Sequence, residues 1–242
     1  VQIDGADIFE NIAMKERFFF ISDEQFFFPN STPKEMKNYY KRFYSKFDEA
    51  RYRKLMNGFG LDENRKLRTV SKGMKKQVSA ICGVCSGTDY LFCDETYDGL
   101  DPVVRQTVKS LFAEDVADRG LTPIIASHNL RELEDICDHV GLLHRGGILF
   151  SRDLDDMKLG MYKMQCIFPN PLPDSAWEGF DILHKEQRGS LYTITARGSR
   201  EELLAKVNAL NPTFCEMLPL TLEEIFINET EVAGYDVKKL LF

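Results

Sequence analysis

The sequence has no run of about 18 apolar residues, which is the length that a membrane-crossing helix needs. Residues 1–5 have neither the basic region nor the apolar stretch of a secretory signal. We therefore expect that the chain neither spans a membrane nor is exported. With 242 residues, 43% of them hydrophobic, it can bury a sizeable core in one large domain, or in one domain with a smaller companion.

The sequence has fewer basic residues than acidic ones. The sequence has 31 Lys and Arg against 38 Asp and Glu, which gives a net charge of −7, and the two signs are interspersed. This balance favours solubility and leaves no broad basic face for a phosphate backbone. Nucleic acid is therefore not expected as a partner.

Cysteine and histidine are too few and too scattered for a zinc site. Cys82 and Cys85 have the CxxC spacing, but a zinc site needs a second ligand pair. His139 and His144 are the closest histidine pair, and a predicted strand at 140–143 lies between them. We expect small, reduced core cysteines in a cytosolic protein.

The first part of the sequence predicts a mostly helical block. Thr32 can cap a helix, Pro33 suits its first position, and Glu35 completes a capping box. The residues that share one face of this helix are Met36, Tyr39, Tyr40, Phe43, Tyr44 and Phe47. Further helices are predicted near 49–58 and after the cap Ser71.

From residue 90 the pattern changes to that of a parallel α/β fold. Residues 90–93 form a short apolar run that ends in Asp94 and Glu95. Residues 123–126 form a second run, which ends just before His128. Because an amphipathic helix lies between the two runs, they are expected to pair as a parallel crossover.

A helix and a hairpin are predicted to complete this α/β part, and a small α+β region follows after about residue 153. A helix over 129–138, capped by Asn129 with Glu132 at the capping-box position, precedes a hairpin that turns at 146–147. The later elements are strands at 162–168, 181–184, 191–196 and near 214, and helices capped by Ser199 and Thr221. The predicted domains are a core at 1–152, with a helical subdomain at about 31–86, and an accessory α+β domain at 160–242.

Two acids at the end of a buried strand require an explanation, because an unpaired carboxylate costs several kcal/mol to desolvate. Asp94 and Glu95 could serve a cation or a reaction, or one of them could simply cap a neighbouring helix. His128 could be an ordinary strand-end histidine. Ser71 could be only a helix cap, although Gly73 beside it would expose backbone N–H groups to an anion.

The order of these residues resembles that of the ABC ATPase family, and the resemblance covers nearly the whole chain. Residues 70–74 resemble the signature motif, 90–95 the Walker B strand, 99–102 the D-loop and 127–128 the histidine switch. Residues 18–28 resemble the Q-loop. Residues 220–226 resemble the accessory domain of exporter-type and multidrug-type subunits. The resemblance implies a P-loop NTPase-like α/β core with a helical subdomain and a small C-terminal α+β domain.

The resemblance also implies roles for the residues around the strand ends. Asp94 would orient Mg2+ through its water shell, and Glu95 would polarise the water that attacks the γ-phosphate of ATP. His128 would contact that phosphate. Ser71 and Gly73 would contact ATP bound on a partner subunit.

Other positions depart from the family pattern or leave it open. Asp101 would lie in the dimer interface while also capping its own helix. At the Q-loop, either Asp23 or Gln25 would meet the metal or water. Lys72 stands where the signature usually has glycine, and Thr96 stands where proline usually follows the catalytic glutamate.

The largest departure is the phosphate-binding loop. None of the 16 glycines is followed by Lys, so no Gly-x4-Gly-Lys-Ser/Thr motif is present. The sequence also starts without Met. We expect it to begin inside a longer one, with the loop in a piece of roughly 50 residues upstream. The 242 residues alone are then expected to be inactive.

The resemblance therefore implies an ATP-hydrolysing subunit of an ABC transporter, at the inner face of the cell membrane. It would pair with a second ATP-binding subunit, bind ATP and Mg2+, and drive a separate membrane permease. Residues 26–28, all Phe, could line the groove for that permease or pack in the core. The alternatives are a non-catalytic scaffold subunit and a soluble ABC ATPase that acts outside transport.

Overall fold

The computed structural model describes residues 1–144 and 146–232 and has a mixed α/β fold, as predicted. Contacts divide the chain into a first unit, Val1–Ile136, and a second unit that begins at Cys137. Within the described residues, none of the helices combines the length and apolar character of a membrane span.

The first unit contains a three-stranded parallel sheet, a separate antiparallel pair of short strands, β1 (Gln2–Ile3) and β2 (Ala6–Asp7), and several helices. Its other strands are β3 (Phe18–Ile21), β4 (Tyr90–Asp94) and β5 (Thr122–Ala126). Its helices are α1 (Ile12–Lys15), α2 (Pro33–Tyr40), α3 (Glu49–Gly58), α4 (Lys72–Cys85), α5 (Pro102–Arg119) and α6 (Leu130–Leu133), with a 3-10 turn at Leu67–Thr69.

Strands β3, β4 and β5 form this sheet in that order, all parallel. The two predicted strands are confirmed, and α5 connects them. The predicted burial of the second strand is wrong, because β5 lies at the edge of this sheet and Ile124 on it is 41% exposed. Helix α4 packs on the sheet so closely that a Cβ on Gly83 would lie 2.9 Å from the Leu91 side chain. The buried thiols of Cys82, Cys85 and Cys93 lie in this core and form no disulfide, as the sequence predicted.

The predicted start of α2 is confirmed, but its predicted length is wrong. The Thr32 N–H donates to Glu35 Oε2 at 2.7 Å, and the Glu35 N–H donates to Thr32 Oγ1 at 3.2 Å. The helix ends at Tyr40, whereas the apolar pattern continues to Phe47. Residues 41–47 instead form turns, and the Phe43 side chain there is exposed.

The helix predicted over 129–138 is also wrong in extent, because α6 covers only Leu130–Leu133. Asn129 makes no side-chain cap. Glu132, predicted at the capping-box position, instead forms an ion pair of 3.0 Å with Arg105 of α5. The tertiary ion pair therefore takes the carboxylate that the local motif would need.

The second unit contains an antiparallel sheet of order β11-β8-β10-β9 and a separate hairpin of β6 and β7. Its elements are β6 (His139–His144), β7 (Gly147–Asp153), α7 (Leu154–Lys158), β8 (Met161–Ile167), β9 (Asp181–Arg188), β10 (Leu191–Arg197), α8 (Arg200–Ala209), β11 (Phe214–Leu218) and α9 (Leu222–Val232), with a 3-10 turn at Asp174–Trp177. The caps predicted at Ser199 and Thr221 are confirmed.

The hairpin that we assigned to the first domain is grouped with the second unit. The Leu154 N–H donates to the Asp138 carbonyl at 2.8 Å, so the hairpin continues directly into α7. The extent of the two functional domains, 1–152 and 160–242, stays a prediction.

Candidate functional site

The carboxyl ends of β4 and β5 bring three of the predicted site residues to one edge of the sheet. Asp94 pairs in register with Ala126, and the Glu95 N–H donates to the Ala126 carbonyl at 2.9 Å. His128 follows Ala126 by two residues. Parallel pairing therefore places Asp94, Glu95 and His128 side by side.

Glu95 and His128 are in direct contact. Glu95 Oε1 accepts from the His128 backbone N–H at 3.1 Å and lies 2.8 Å from His128 Nδ1. Because a carboxylate can only accept, Nδ1 is the donor. The hydrogen bond to Glu95, and then its negative charge, raise the pKa of the His128 imidazole above its ordinary value. Glu95 Oε2 has no partner among the described residues.

Asp94 is half-buried, and no donor from the described residues contacts its carboxylate. Carboxylate oxygens are the ligands that Mg2+ prefers, and Mg2+ commonly keeps several waters and uses one or two carboxylates. A single unpaired acid at this strand end fits that mode of binding. No group of three His, Cys, Asp or Glu side chains that could hold a metal occurs among the described residues.

The N-terminus of α4 is available at the surface. Ser71 is exposed, and its hydroxyl accepts from the Met74 N–H at 3.1 Å. A Cβ on Gly73 would lie 3.0 Å from the Gly99 carbonyl oxygen, so this glycine permits close approach of the loop before α5. The first turn of α4 contains no acidic residue, which leaves the positive end of its dipole unneutralised.

Asp101 caps α5, as the sequence predicted. Its Oδ1 accepts from the N–H groups of Val103 and Val104, at 3.1 Å each, and the residue is exposed. Its role as the cap of α5 accounts for an aspartate at this position. Its role in a dimer interface stays a prediction.

The two Q-loop candidates are both engaged within the chain. Asp23 Oδ1 accepts from Lys76 Nζ at 2.9 Å and lies 3.2 Å from Lys72 Nζ. The hydrogen bond to Lys76, followed by that to Lys72, lowers the pKa of the Asp23 carboxyl. Gln25 folds back on its own loop and donates to the carbonyls of Ser22 and Asp23, at 2.9 Å each.

The sequence reasoning missed Lys76. Its side chain is fully buried, and it contacts both Asp23 and the backbone of Glu95. Its position one helical turn after Lys72, at the start of the apolar part of α4, is the signal that could have indicated a buried, paired lysine.

The chain is similar to a known protein over nearly its whole length. The chain is 30% identical over 227 residues to the ABC transporter ATP-binding protein YtrB of Bacillus subtilis (strain 168), covering 94% of the chain and 77% of that protein. Profiles of protein families gave no match.

Solved structures support the fold. The ATP-binding subunit of an ABC transporter aligns with a TM-score of 0.59 and 24% identity, covering 64% of the chain and 67% of that structure. A dimeric ATP-binding cassette in a post-hydrolysis state, bound to ADP and Pi, aligns with a TM-score of 0.53 and 15% identity, covering 63% of the chain and 72% of that structure.

Proposed function

Because the chain belongs to the ATP-binding subunits of ABC transporters, we propose that its first unit binds ATP against a second such subunit and that Glu95 is the base for hydrolysis. The contact between Glu95 and His128 carries the proposal. His128 holds Glu95 Oε1, which leaves Oε2 to accept a proton from the attacking water.

Asp94 would hold Mg2+ through its waters, and Mg2+ would neutralise charge on the phosphates. His128 would contact the γ-phosphate. Its side chain is 79% exposed, so a bound nucleotide can reach it. When His128 turns to the phosphate, the Glu95 carboxylate would keep the backbone N–H of His128 as a donor.

A second subunit would supply the nucleotide that the exposed N-terminus of α4 contacts. Ser71 and Gly73 would contact the ATP of the partner, since backbone N–H groups at a helix N-terminus favour phosphate. Asp101, exposed at the start of α5, would lie in the same interface. Of the Q-loop candidates, Asp23 or Gln25 would have to leave its present partners to meet metal or water.

A membrane permease would dock on what we call the aromatic surface, formed by Phe26, Phe28, Tyr39 and Phe43. Phe26 is 66% exposed, and the rings contact one another edge to face or tilted, at centroid distances of 4.8–5.4 Å. Beside it lies a cavity of about 410 Å³ lined by Ile12, Lys15, Glu16, Tyr39, Tyr40, Phe43 and Tyr44. A contiguous exposed apolar patch of this kind is typical of a protein interface.

This partner would place the subunit on the cytoplasmic face of the membrane. The sequence at 220–226 supports an exporter or multidrug type, with the second unit as its accessory domain. The 242 residues alone would not hydrolyse ATP, because they contain no Gly-x4-Gly-Lys-Ser/Thr motif to hold the phosphates.

Glu95→Gln in the full-length protein tests the base. The amide keeps the shape of the side chain but cannot take the proton, so we expect a loss of phosphate release by about 100-fold or more, with ATP affinity nearly unchanged. The measurements are steady-state phosphate release and binding of a fluorescent ATP analogue. Glu10→Gln is the matched control, because Glu10 is exposed and has the same positive φ as Glu95 (52° and 47°).

Continued hydrolysis by Glu95→Gln would show that another group is the base. The second candidate function is that of a non-catalytic scaffold subunit, since residues 1–242 contain no phosphate-binding motif. It predicts that unmodified full-length protein releases no phosphate above the Glu95→Gln background.

A further inference from the structure

Lys76 is a cation buried at the junction of three segments. It lies on α4, and its side chain has 0% solvent exposure. Its Nζ lies 2.9 Å from Asp23 Oδ1, after β3, and 4.0 Å from Asp98 Oδ2, after β4. It also donates to the backbone carbonyl of Glu95. A buried ammonium is tolerated only with such partners.

The hydrogen bond from Lys76 to the Glu95 carbonyl matters because the Glu95 backbone is strained and needs to be held. Its φ of 47° lies in the left-handed region, which costs a non-glycine residue about 1 kcal/mol. Its N–H is held by the Ala126 carbonyl, and its carbonyl accepts from both Lys76 and the Asp98 N–H. These bonds fix the peptide on both sides and so set the direction of the Glu95 side chain.

The neighbouring lysines of α4 do not share this arrangement. Lys72 is 55% exposed and pairs with Asp23 and Asp98, but it makes no contact with the Glu95 backbone. Lys75 forms no ion pair with any described side chain. Lys76 alone of the three therefore connects the loop of Asp23 to the backbone of Glu95.

We infer that Lys76 is a positioning residue, which holds the strained Glu95 backbone so that its carboxylate points at the attacking water, with Asp23 as its counter-charge. The inference rests on the proposed function of Glu95. If this is right, the ion pair of Asp23 with Lys76 has a structural role. Helix α4 would then also hold Glu95 of its own chain in place, in addition to the proposed contact of its N-terminus with the partner's ATP.

Lys76→Met in the full-length protein tests this role, because methionine fills the space without the charge or the donors. We expect kcat for ATP hydrolysis to fall about 10-fold or more while KM for ATP changes by less than about two-fold. Lys75→Met is the matched control and should leave both constants unchanged. Thermal melts establish that each variant is folded. If Lys76→Met does not melt cooperatively, Lys76→Gln takes its place with the same expectation.

The decisive measurement combines Lys76→Met with Glu95→Gln. If Lys76 acts through Glu95, its loss should not lower the residual single-turnover rate of Glu95→Gln any further. A further fall of about 10-fold in that background would overturn the inference, as would a kcat of Lys76→Met within about two-fold of the unmodified protein.

The two proposals fail in different ways. If Glu95→Gln keeps its hydrolysis, the proposed base is wrong and the role of Lys76 falls with it. If Glu95→Gln loses hydrolysis while Lys76→Met keeps it, only the positioning role is wrong.

Discussion

At the scale of single residues, the two oxygens of one carboxylate would have different roles. In the proposed mechanism Glu95 Oε2 would accept a proton from water, while Oε1 accepts from two donors of His128. The raised pKa of His128 means that the charged pair is present below that pKa and is lost as pH rises through it. The pair therefore holds the Glu95 carboxylate in place most firmly while His128 is charged.

The pKa of His128 should therefore depend on Glu95. In Glu95→Gln the carboxylate charge is gone, and we expect the pKa of His128 to fall toward its ordinary value of 6.5. The measurement is an NMR titration of the imidazole carbons of the nucleotide-free protein, with His128→Gln used to assign the signal. Glu10→Gln should leave the midpoint where it is. An equal midpoint in Glu95→Gln would show that the two side chains do not interact in solution.

At the scale of elements, the sequence was most informative where local signals agree with packing. The cap and box of α2, the cap of α4 and the parallel pairing of β4 with β5 follow from local residues and were predicted, whereas the burial expected for β5 is not found. The capping box expected at the start of α6 does not form, because Glu132 pairs with Arg105 of another helix. The charge network of Lys76 was not predicted, since its partners lie far away in sequence. The position of a lysine in its helix can indicate that it is buried, but no local pattern indicates which distant residues pair with it.

The aromatic surface belongs to the same scale, because it arises where α2 ends early. If α2 continued to Phe47, its apolar side chains would form one longer face that could pack against the core. Instead residues 41–47 turn, and Phe43 stays 53% exposed, with its ring against Tyr39. The end of α2 therefore produces an exposed apolar surface that a partner helix could cover.

Phe43→Asp should weaken permease binding without affecting the chemistry. Placing a charge in an apolar interface costs several kcal/mol, so we expect co-purification with the partner permease to be lost. Basal hydrolysis by the free full-length protein should be unchanged, because no site residue contacts Phe43. Ile148→Asp, at a position 69% exposed in the second unit, is the control. Equal permease binding by both variants would exclude the aromatic surface as the docking site.

At the scale of the whole molecule, every candidate catalytic and nucleotide-contacting residue lies in the first unit. The second unit has its own core, which includes Met164, Ile194 and Leu203. The similarity to the Bacillus protein covers 94% of the chain and so extends into both units. This separation means that assembly through the first unit can be tested by substitutions there, with equivalent substitutions in the second unit as controls.

Ser71→Asp should block ATP-driven dimerisation while leaving the fold intact. Aspartate is as good a helix cap as serine, so the bond from the Met74 N–H is kept and stability should change by less than about 1 kcal/mol. Its negative charge, however, would oppose the triphosphate of the partner. In the Glu95→Gln background, where a closed dimer should accumulate, we expect light scattering with ATP to show monomer for Ser71→Asp and dimer for the neutral cap Ser71→Asn.

Ser199→Asp makes the same change at the cap of α8, where the Glu202 N–H is bound in the same way, and it should dimerise normally. A charged cap should reduce ATP-driven dimerisation, relative to a neutral cap, only at a position that faces phosphate across the interface. A normal ATP dimer in Ser71→Asp would therefore mean that the exposed end of α4 does not contact the nucleotide of a second subunit, however well it caps its own helix.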